Sequence, residues 1–192
     1  DTAQRALMRG DSVYHDPSAD HLKVMGDAAV WNWEDEDTLY LMADTLWMTQ
    51  TEQESYIAKG AVELVHGSTA ARADSVHHDA VEGTFLFFGD PVLWTDSTEL
   101  LADTIRVFAP NRRLRDVIGL HHAIMVNRSD TLRPDRYDQV SGRVVTLLVE
   151  GDTLRELIAV DDARSITWRQ EESGPEGLAT FAADTIRAAF QD

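Results

Sequence analysis

The chain has 192 residues, of which 43% are hydrophobic and 27% are charged, a composition typical of a folded globular protein. Its net charge is −17, with 34 acidic and 17 basic side chains, which disfavours nucleic-acid binding because a surface that follows phosphates needs a basic stripe. The lack of cysteine excludes a disulfide framework and a thiolate metal site, and no apolar run is long enough to predict a membrane-spanning helix.

Short apolar runs bounded by turn-forming residues predict β-strands along the whole chain. In chain order they are Leu22–Met25, Ala28–Trp33, Leu39–Met48, Ala61–Val65, Ala73–His78, Thr84–Phe88, Pro91–Thr95, Leu100–Phe108, Val117–His121, Ala123–Asn127, Gln139–Val149, Leu154–Val160, Ser165–Arg169 and Ala179–Phe190. Many short strands without a long helical stripe predict an all-β sandwich, roll or solenoid. The alanine-rich tail from Gly177 also suits a helix, but it contains a phrase that recurs in the predicted strands, so we assign it to a strand.

That phrase is an aspartate followed by Ser or Thr and then by an aliphatic residue. It occurs at Asp11, Asp44, Asp74, Asp103 and Asp184. The first intervals are 33, 30 and 29 residues, a period typical of a repeated supersecondary unit, and the longer gap before Asp184 leaves room for divergent copies.

A second phrase precedes the later copies and starts at Gly26, Lys59, Gly89 and Asp161. We interpret each unit as a strand, a turn and a second strand that begins near the aspartate, whose carboxylate bonds the turn backbone. Stacked pairs of this kind would bury a continuous apolar interior and leave the first and last strands as open edges. Open edges allow head-to-tail pairing between chains.

Two adjacent histidine pairs, His77–His78 and His121–His122, raise the alternative of a metal site. Adjacent residues on a strand point to opposite faces, so each pair can offer one ligand to a given site. Tetrahedral zinc would then need histidines from both pairs to converge with an acid such as Asp79. No nucleophile motif and no glycine-rich phosphate loop occurs in the chain.

A longer segment, Arg136 to Ile186, carries a resemblance to a known family. It opens with an aromatic-Asp-Gln-aliphatic-x-Gly phrase at Tyr137–Gly142, followed by a hydrophobic strand, a turn and the Leu154–Arg155 strand, and then Ser165, Ile166 and Trp168. This arrangement resembles the OstA-like family, the periplasmic lipopolysaccharide-transport bridge proteins of the LptA type, especially their Bacteroidetes-like versions. Asp161, Asp162 and Ala163 stand where the family usually has Gly-Asn-Ala.

The resemblance implies a β-jellyroll, or folded-over β-taco, of repeated antiparallel hairpins over one domain, residues 1–192, or over a segment of a longer protein. It implies a non-enzymatic periplasmic carrier that binds lipopolysaccharide by its lipid A acyl chains and passes it toward the outer membrane. It further implies edge-to-edge contact with itself or with other domains of the same transport system, and no cofactor. Residues 1–11 lack signal-peptide features, so the exported chain is expected to be processed or trimmed.

The candidates for a lipid groove are aliphatic residues at alternate positions of the repeat strands, because alternation places them on one face. They are Leu46, Met48, Val76, Ile105, Val107, Val145, Leu147 and Ile186. Alternation does not separate an open groove from a closed core, so a closed-core β-repeat scaffold without lipid binding stays an alternative, and a metal-dependent β-roll enzyme is a third. Tryptophans at 31, 33, 47, 94 and 168 could line a lipid mouth or simply pack in the sheet.

Overall fold

The computed structural model describes residues 5–18, 20–34, 37–49, 55–95, 97–110, 113–128, 136–151, 153–169 and 177–190. Its strands are β1 (Arg5–Arg9), β2 (Ser12–Asp16), β3 (His21–Glu34), β4 (Asp37–Thr49), β5 (Tyr56–His66), β6 (Thr69–Asp79), β7 (Thr84–Phe88), β8 (Val92–Trp94), β9 (Thr98–Leu101), β10 (Thr104–Phe108), β11 (Asp116–Asn127), β12 (Asp138–Glu150), β13 (Thr153–Arg169) and β14 (Gly177–Ala189). None of the described residues forms a helix that is long and apolar enough to cross a membrane.

These fourteen strands form one antiparallel sheet in which neighbours along the chain are mostly neighbours in the sheet. The order is β1-β3-β4-β5-β6-β7-β10-β11-β12-β13-β14, with β2 also paired to β3, and with β8 and β9 paired to each other and to β6 and β11. As far as the described strands go, the sheet ends in two open edges, β14 at one side and β1 with β2 at the other. The predicted all-β architecture is confirmed, and so is the assignment of the alanine-rich tail to a strand.

A line of interruptions crosses the sheet at mid-strand. Two consecutive residues with positive φ lie on this line at Gly26–Asp27, Gly60–Ala61, Gly89–Asp90, His121–His122 and Asp161–Asp162. Four of these pairs sit at β-bulges inside β3, β5, β11 and β13, and the fifth separates β7 from β8. Glycine, aspartate and histidine enter the left-handed region more easily than most residues, which explains why these types recur there.

The aspartate of the repeated phrase lies on the same line, on the strand next to each left-handed pair. Asp44 is opposite the Gly26–Asp27 bulge, Asp74 is opposite Gly60–Ala61, and Asp184 is opposite Asp161–Asp162. At these three positions the phrase lies in the middle of a strand, so the prediction that a strand begins there is wrong, whereas β2 and β10 do begin directly after Asp11 and Asp103. Arg143 of β12 takes the equivalent place opposite His121–His122, so the gap before Asp184 does hold a divergent copy.

The line of bulges divides the sheet into two halves. The β2 half contains residues 12–16, 21–25, 45–49, 56–59, 75–79, 84–88, 104–108, 116–120, 144–150, 153–160 and 185–189, and the remaining strand segments form the β1 half. One face of both halves is buried in a single apolar cluster. Because no other layer within the described residues covers this sheet, such burial requires the two halves to fold over each other, which is the predicted folded-over roll.

The line of bulges is the bend at which the sheet folds over, and a side chain added at Gly60 should destabilise it. Gly60 has φ +80°, and a Cβ there would collide with the Asp44 side chain, 2.8 Å from its Cβ. We expect Gly60→Ala to lower the free energy of unfolding by at least about 2 kcal/mol, because left-handed strain and a steric clash add. Gly67 is the matched control, since it also has positive φ (+57°) but would have no atom within 4 Å of an added Cβ. Equal losses for Gly60→Ala and Gly67→Ala in urea unfolding would contradict the proposed packing at the bend.

Candidate functional site: the apolar interior

The interior of the β2 half is organised in two register rows that run across the sheet. The central row comprises Val13, Val24, Leu46, Ala58, Val76, Phe87, Ile105, Gly119, Val145, Ala159 and Ile186. The rim row, one step nearer the strand ends, comprises His15, Leu22, Met48, Tyr56, His78, Phe85, Val107, Val117, Leu147, Leu157 and Ala188. Each row takes one residue from every strand it crosses.

All eight residues predicted for the groove fall in these two rows. Five belong to the central row and three to the rim row: Leu46, Val76, Ile105, Val145 and Ile186, and then Met48, Val107 and Leu147. Six of them are buried, and Met48 and Ile186 are partly buried against the same apolar cluster. The structure thus brings the eight together on one inner face, and their contact with a lipid stays a prediction.

The interior is tightly packed at its centre. Val76, Ile105 and Val145 have no exposed surface, and Leu46 is 1% exposed. Across the interior, the two halves contact each other only through side chains. Every register pair of the described strands lies within one half or the other. Separating the halves would therefore break apolar contacts but no ladder hydrogen bond.

The apolar face continues to both edges and is uncovered there. Val13 on β2 belongs to the central row, yet 59% of its surface is exposed. On β14, Phe181 lies opposite the buried Ser165 in the other half and is 50% exposed. Large apolar side chains exposed on an unpaired strand edge are a typical surface for pairing with another strand.

The first part of the rim row is less buried than the second. The side chains from Leu22 to Phe85 are partly exposed, whereas those from Val107 to Leu157 are at most 9% exposed. The ring of Tyr56 stacks on His78 with centroids 4.4 Å apart, and His78 also lies 4.3 Å from the Phe85 ring. The interior is therefore more accessible at its rim near β3 to β7 than near β10 to β13.

Tyr56 has a buried hydroxyl without a hydrogen-bond partner among the described residues. Burial raises the pKa of Tyr56 above its ordinary value of 10, because the phenolate would lose its hydration. We expect Tyr56→Phe to increase the free energy of unfolding by about 1 kcal/mol, since an unsatisfied buried polar group is removed without changing the shape. Thermal unfolding checks this, with the exposed Tyr14→Phe as control. A loss of stability in Tyr56→Phe would mean that the hydroxyl is satisfied.

The histidine pairs do not form the convergent site that the metal alternative requires. His121 and His122 lie in the bend, both exposed, and His122 Nδ1 is 3.1 Å from both carboxylate oxygens of Asp103. Histidine, aspartate and glutamate side chains of the described residues do not gather in any group of three that could hold a metal ion. The adjacency of His121 and His122 is instead explained by the left-handed pair.

Tryptophans lie on the outer face, in alternation with buried residues. Trp31 pairs with Tyr40, and Trp47 follows the buried Leu46. Trp94 and Trp168 occupy equivalent outward positions, and the side chain of Trp33 is outside the described part of the structure. The four described tryptophans therefore do not line the interior, because a β-strand sends successive side chains to opposite faces.

Comparison with known proteins supports the fold. No protein-family model matches the chain, and no curated protein matches it. Among solved structures, the chain is similar to "LptH, the LptA homologous periplasmic component of the conserved lipopolysaccharide transport device from Pseudomonas aeruginosa", with a TM-score of 0.52 and 13% sequence identity over 71% of this chain and 94% of that one. The chain is thus an all-β protein with the β-jellyroll fold of LptA-like proteins.

Proposed function

We propose that this chain is a non-enzymatic periplasmic carrier domain that holds lipopolysaccharide by its lipid A acyl chains and passes it toward the outer membrane. The proposal takes residues 1–192 as one such domain and assigns no cofactor and no catalytic residue. It agrees with the similarity in fold to a periplasmic component of a lipopolysaccharide transport device. Its main support from the molecule itself is the central row of the interior.

The central row is apolar from one edge of the sheet to the other. It carries no charged or hydrogen-bonding side chain between Val13 on β2 and Ile186 on β14. An acyl chain laid along it would meet aliphatic and aromatic groups over its whole length. Burial of a methylene group contributes about 0.8 kcal/mol, so several chains of a lipid A anchor bind strongly without a cationic site.

Entry of acyl chains requires the two halves to separate around the bend. Packed side chains would exchange contacts with each other for contacts with methylene groups, so the buried apolar area changes little. The backbone ladders stay intact because none joins the halves. Transfer along the interior then needs no covalent step, since an acyl chain meets apolar side chains at each strand of the central row.

The open edges favour pairing with a second copy or with another domain of the same kind. If β14 of one chain pairs with β2 and β1 of the next, the two interiors join into one apolar path. Val13 and Phe181 would lie at this junction, where their exposed surface becomes buried. Pairing of this kind supplies backbone hydrogen bonds together with apolar burial.

A closed-core scaffold is the second candidate function. The complete burial of Val76, Ile105 and Val145 favours it, because residues that pack this well need no ligand. A scaffold would use the same edges to build a filament and would bind no lipid. The third candidate, a metal-dependent enzyme, requires histidines to converge with an acid, and the described residues contain no such group of three.

Native mass spectrometry of the protein purified from a Gram-negative host tests the proposal. We expect complexes whose extra mass is that of species containing lipid A, confirmed by lipid extraction. A protein free of lipid that still assembles through its edges would contradict the carrier function and support the scaffold.

A further inference from the structure

A cavity of about 330 Å³ lies where β4 ends and β5 begins, and residues from both faces of the sheet line it. Met48 and Tyr56 of the rim row form its inner wall, and His21, Trp47, Ile57 and Lys59 line it from the outer face. Residues of both faces can border one cavity only at the end of the strands. The cavity therefore opens at the accessible part of the rim, beside the apolar interior.

Both lysines of the chain lie near Trp47: Lys59 lines the cavity together with this ring, and Lys23 is next to the ring without lining the cavity itself. The ammonium of Lys23 lies 5.1 Å from the centre of the Trp47 ring, and that of Lys59 lies 5.7 Å from the same centre. Lys23 is directly opposite Trp47 on β3, whereas Lys59 reaches the ring diagonally from β5. Every other cationic side chain except the histidines is an arginine.

These ammonium groups are available to an anion. Neither forms an ion pair within 4 Å of any carboxylate among the described residues, although the chain carries 34 acidic side chains. An exposed cation–aromatic contact contributes only about 0.5–1 kcal/mol, so it positions the lysines without neutralising them. Because the two ammonium groups lie 5.1 and 5.7 Å from one ring centre, an anion beside that ring would be attracted by two positive charges.

The inner wall offers complementary chemistry. Met48 and the Tyr56 ring make it apolar, and Met48 continues into the rim row through Leu22. The Tyr56 hydroxyl adds a donor that has no partner among the described residues. A ligand that matches this cavity has an anionic group at the outer face and an apolar chain that runs inward.

We propose that this rim cavity binds the anionic headgroup of an acyl lipid, with Lys23 and Lys59 on its phosphate or carboxylate and its chain over Met48 and Tyr56. The proposal rests on the carrier function and adds a place where the lipid is held by its charge. It also gives a role to the lysines of a protein that is otherwise strongly acidic. The interior then supplies affinity for the chain, and the cavity supplies preference for an anion.

Dodecyl phosphate, used below its critical micelle concentration, is a suitable probe, with dodecyl maltoside as the neutral probe and inorganic phosphate as the free anion. Isothermal titration calorimetry would compare the wild type with Lys23→Gln/Lys59→Gln. The matched control is Arg72→Gln/Arg164→Gln, which removes the same charge from two exposed arginines with no ion pair among the described residues. Circular dichroism would verify that all variants are folded.

We expect the lysine variant to bind dodecyl phosphate about tenfold or more weakly, since charge-assisted contacts are lost, while its affinity for dodecyl maltoside and the binding by the control variant stay unchanged. An unchanged affinity of the lysine variant for dodecyl phosphate would overturn the inference, as would an equal loss in the control. Equal binding of inorganic phosphate and dodecyl phosphate by the wild type would mean a free-anion site and would also overturn it. If the wild type binds neither dodecyl compound, the carrier function fails as well. If the wild type and the lysine variant bind both compounds equally well, only this inference is refuted.

Discussion

Replacing Ile105 with aspartate should remove most of the stability of the fold at neutral pH. Ile105 lies in the central row with no exposed surface. The substitution removes aliphatic packing, which costs about 2–5 kcal/mol, and it buries a carboxylate without a partner, whose pKa shift of about 3–5 units corresponds to a further 4–7 kcal/mol. Together these losses approach the whole free energy of unfolding of an ordinary domain, about 5–15 kcal/mol.

Val65→Asp is the matched control for this experiment. Val65 is also a β-branched aliphatic residue in a strand, but 43% of its surface is exposed on the outer face, so aspartate there should cost little. Urea unfolding of both variants measures the difference. The destabilisation of Ile105→Asp should shrink as the pH falls through the raised pKa of the new carboxyl, because the protonated form is cheaper to bury. Equal stability of the two variants would indicate that the centre of the interior is hydrated.

Mixing Val13→Asp and Phe181→Asp chains should produce dimers that neither variant forms alone. In head-to-tail pairing each junction uses Phe181 from one chain and Val13 from the next. Each variant keeps one intact edge and loses the other, so neither can pair with itself. The mixture restores one complete junction, and the charged edges then prevent growth beyond two chains.

Sedimentation velocity of the wild type, each variant and the equimolar mixture measures these states. We expect concentration-dependent chains for the wild type, monomers for each variant and dimers for the mixture. Both substituted side chains are at least half exposed, so unfolding of the monomer is not expected to explain a loss of assembly. Monomers in the mixture together with assembly of the wild type would rule out head-to-tail pairing through these edges.

Much of the interior follows from alternation in the sequence. Leu46, Val76 and Ile105 each follow Ser or Thr in the repeated aspartate phrase, which aligns them, so they are predicted for one face and are found in one row. Their register across the sheet depends on the bulges, and a bulge shifts the pairing by a residue that no hydropathy pattern reveals.

The sequence pattern contains the interruptions that form the bend, but it does not predict that they line up across the sheet. Breaks at Gly26 and at His121–His122 separate predicted apolar runs that are halves of one strand, β3 or β11. The repeated aspartate marks the same line from the neighbouring strand. Only pairing across strands reveals that these breaks coincide. The predicted apolar runs do not include the edge strands β1 and β2, since their side chains alternate too weakly between apolar and polar; only the repeated phrase at Asp11 indicates β2.

The sequence also does not predict that the two lysines lie near the same tryptophan. Lys23 and Lys59 are far apart in the sequence, and each by itself is an ordinary charged residue of a strand. Their meeting at Trp47 depends on the pairing of β3 and β5 with β4. The outward direction of Trp47 follows from alternation with Leu46, whereas the cavity beside it requires the geometry of the strand ends.

Photo-crosslinking at two adjacent positions of β14 tests the carrier function most directly. Ile186 faces the interior at the end of the central row, and Arg187 points outward and pairs with Glu156 at 3.0 Å. A benzophenone amino acid would replace each in turn, in protein made in a Gram-negative host. Both sites are on the same strand and reach the same lipid supply, so they differ mainly in the face that they present. We predict a covalent adduct with the mass of a lipid A species at position 186 and none at 187. Equal adducts at both positions, or none at either, would contradict a lipid-holding interior.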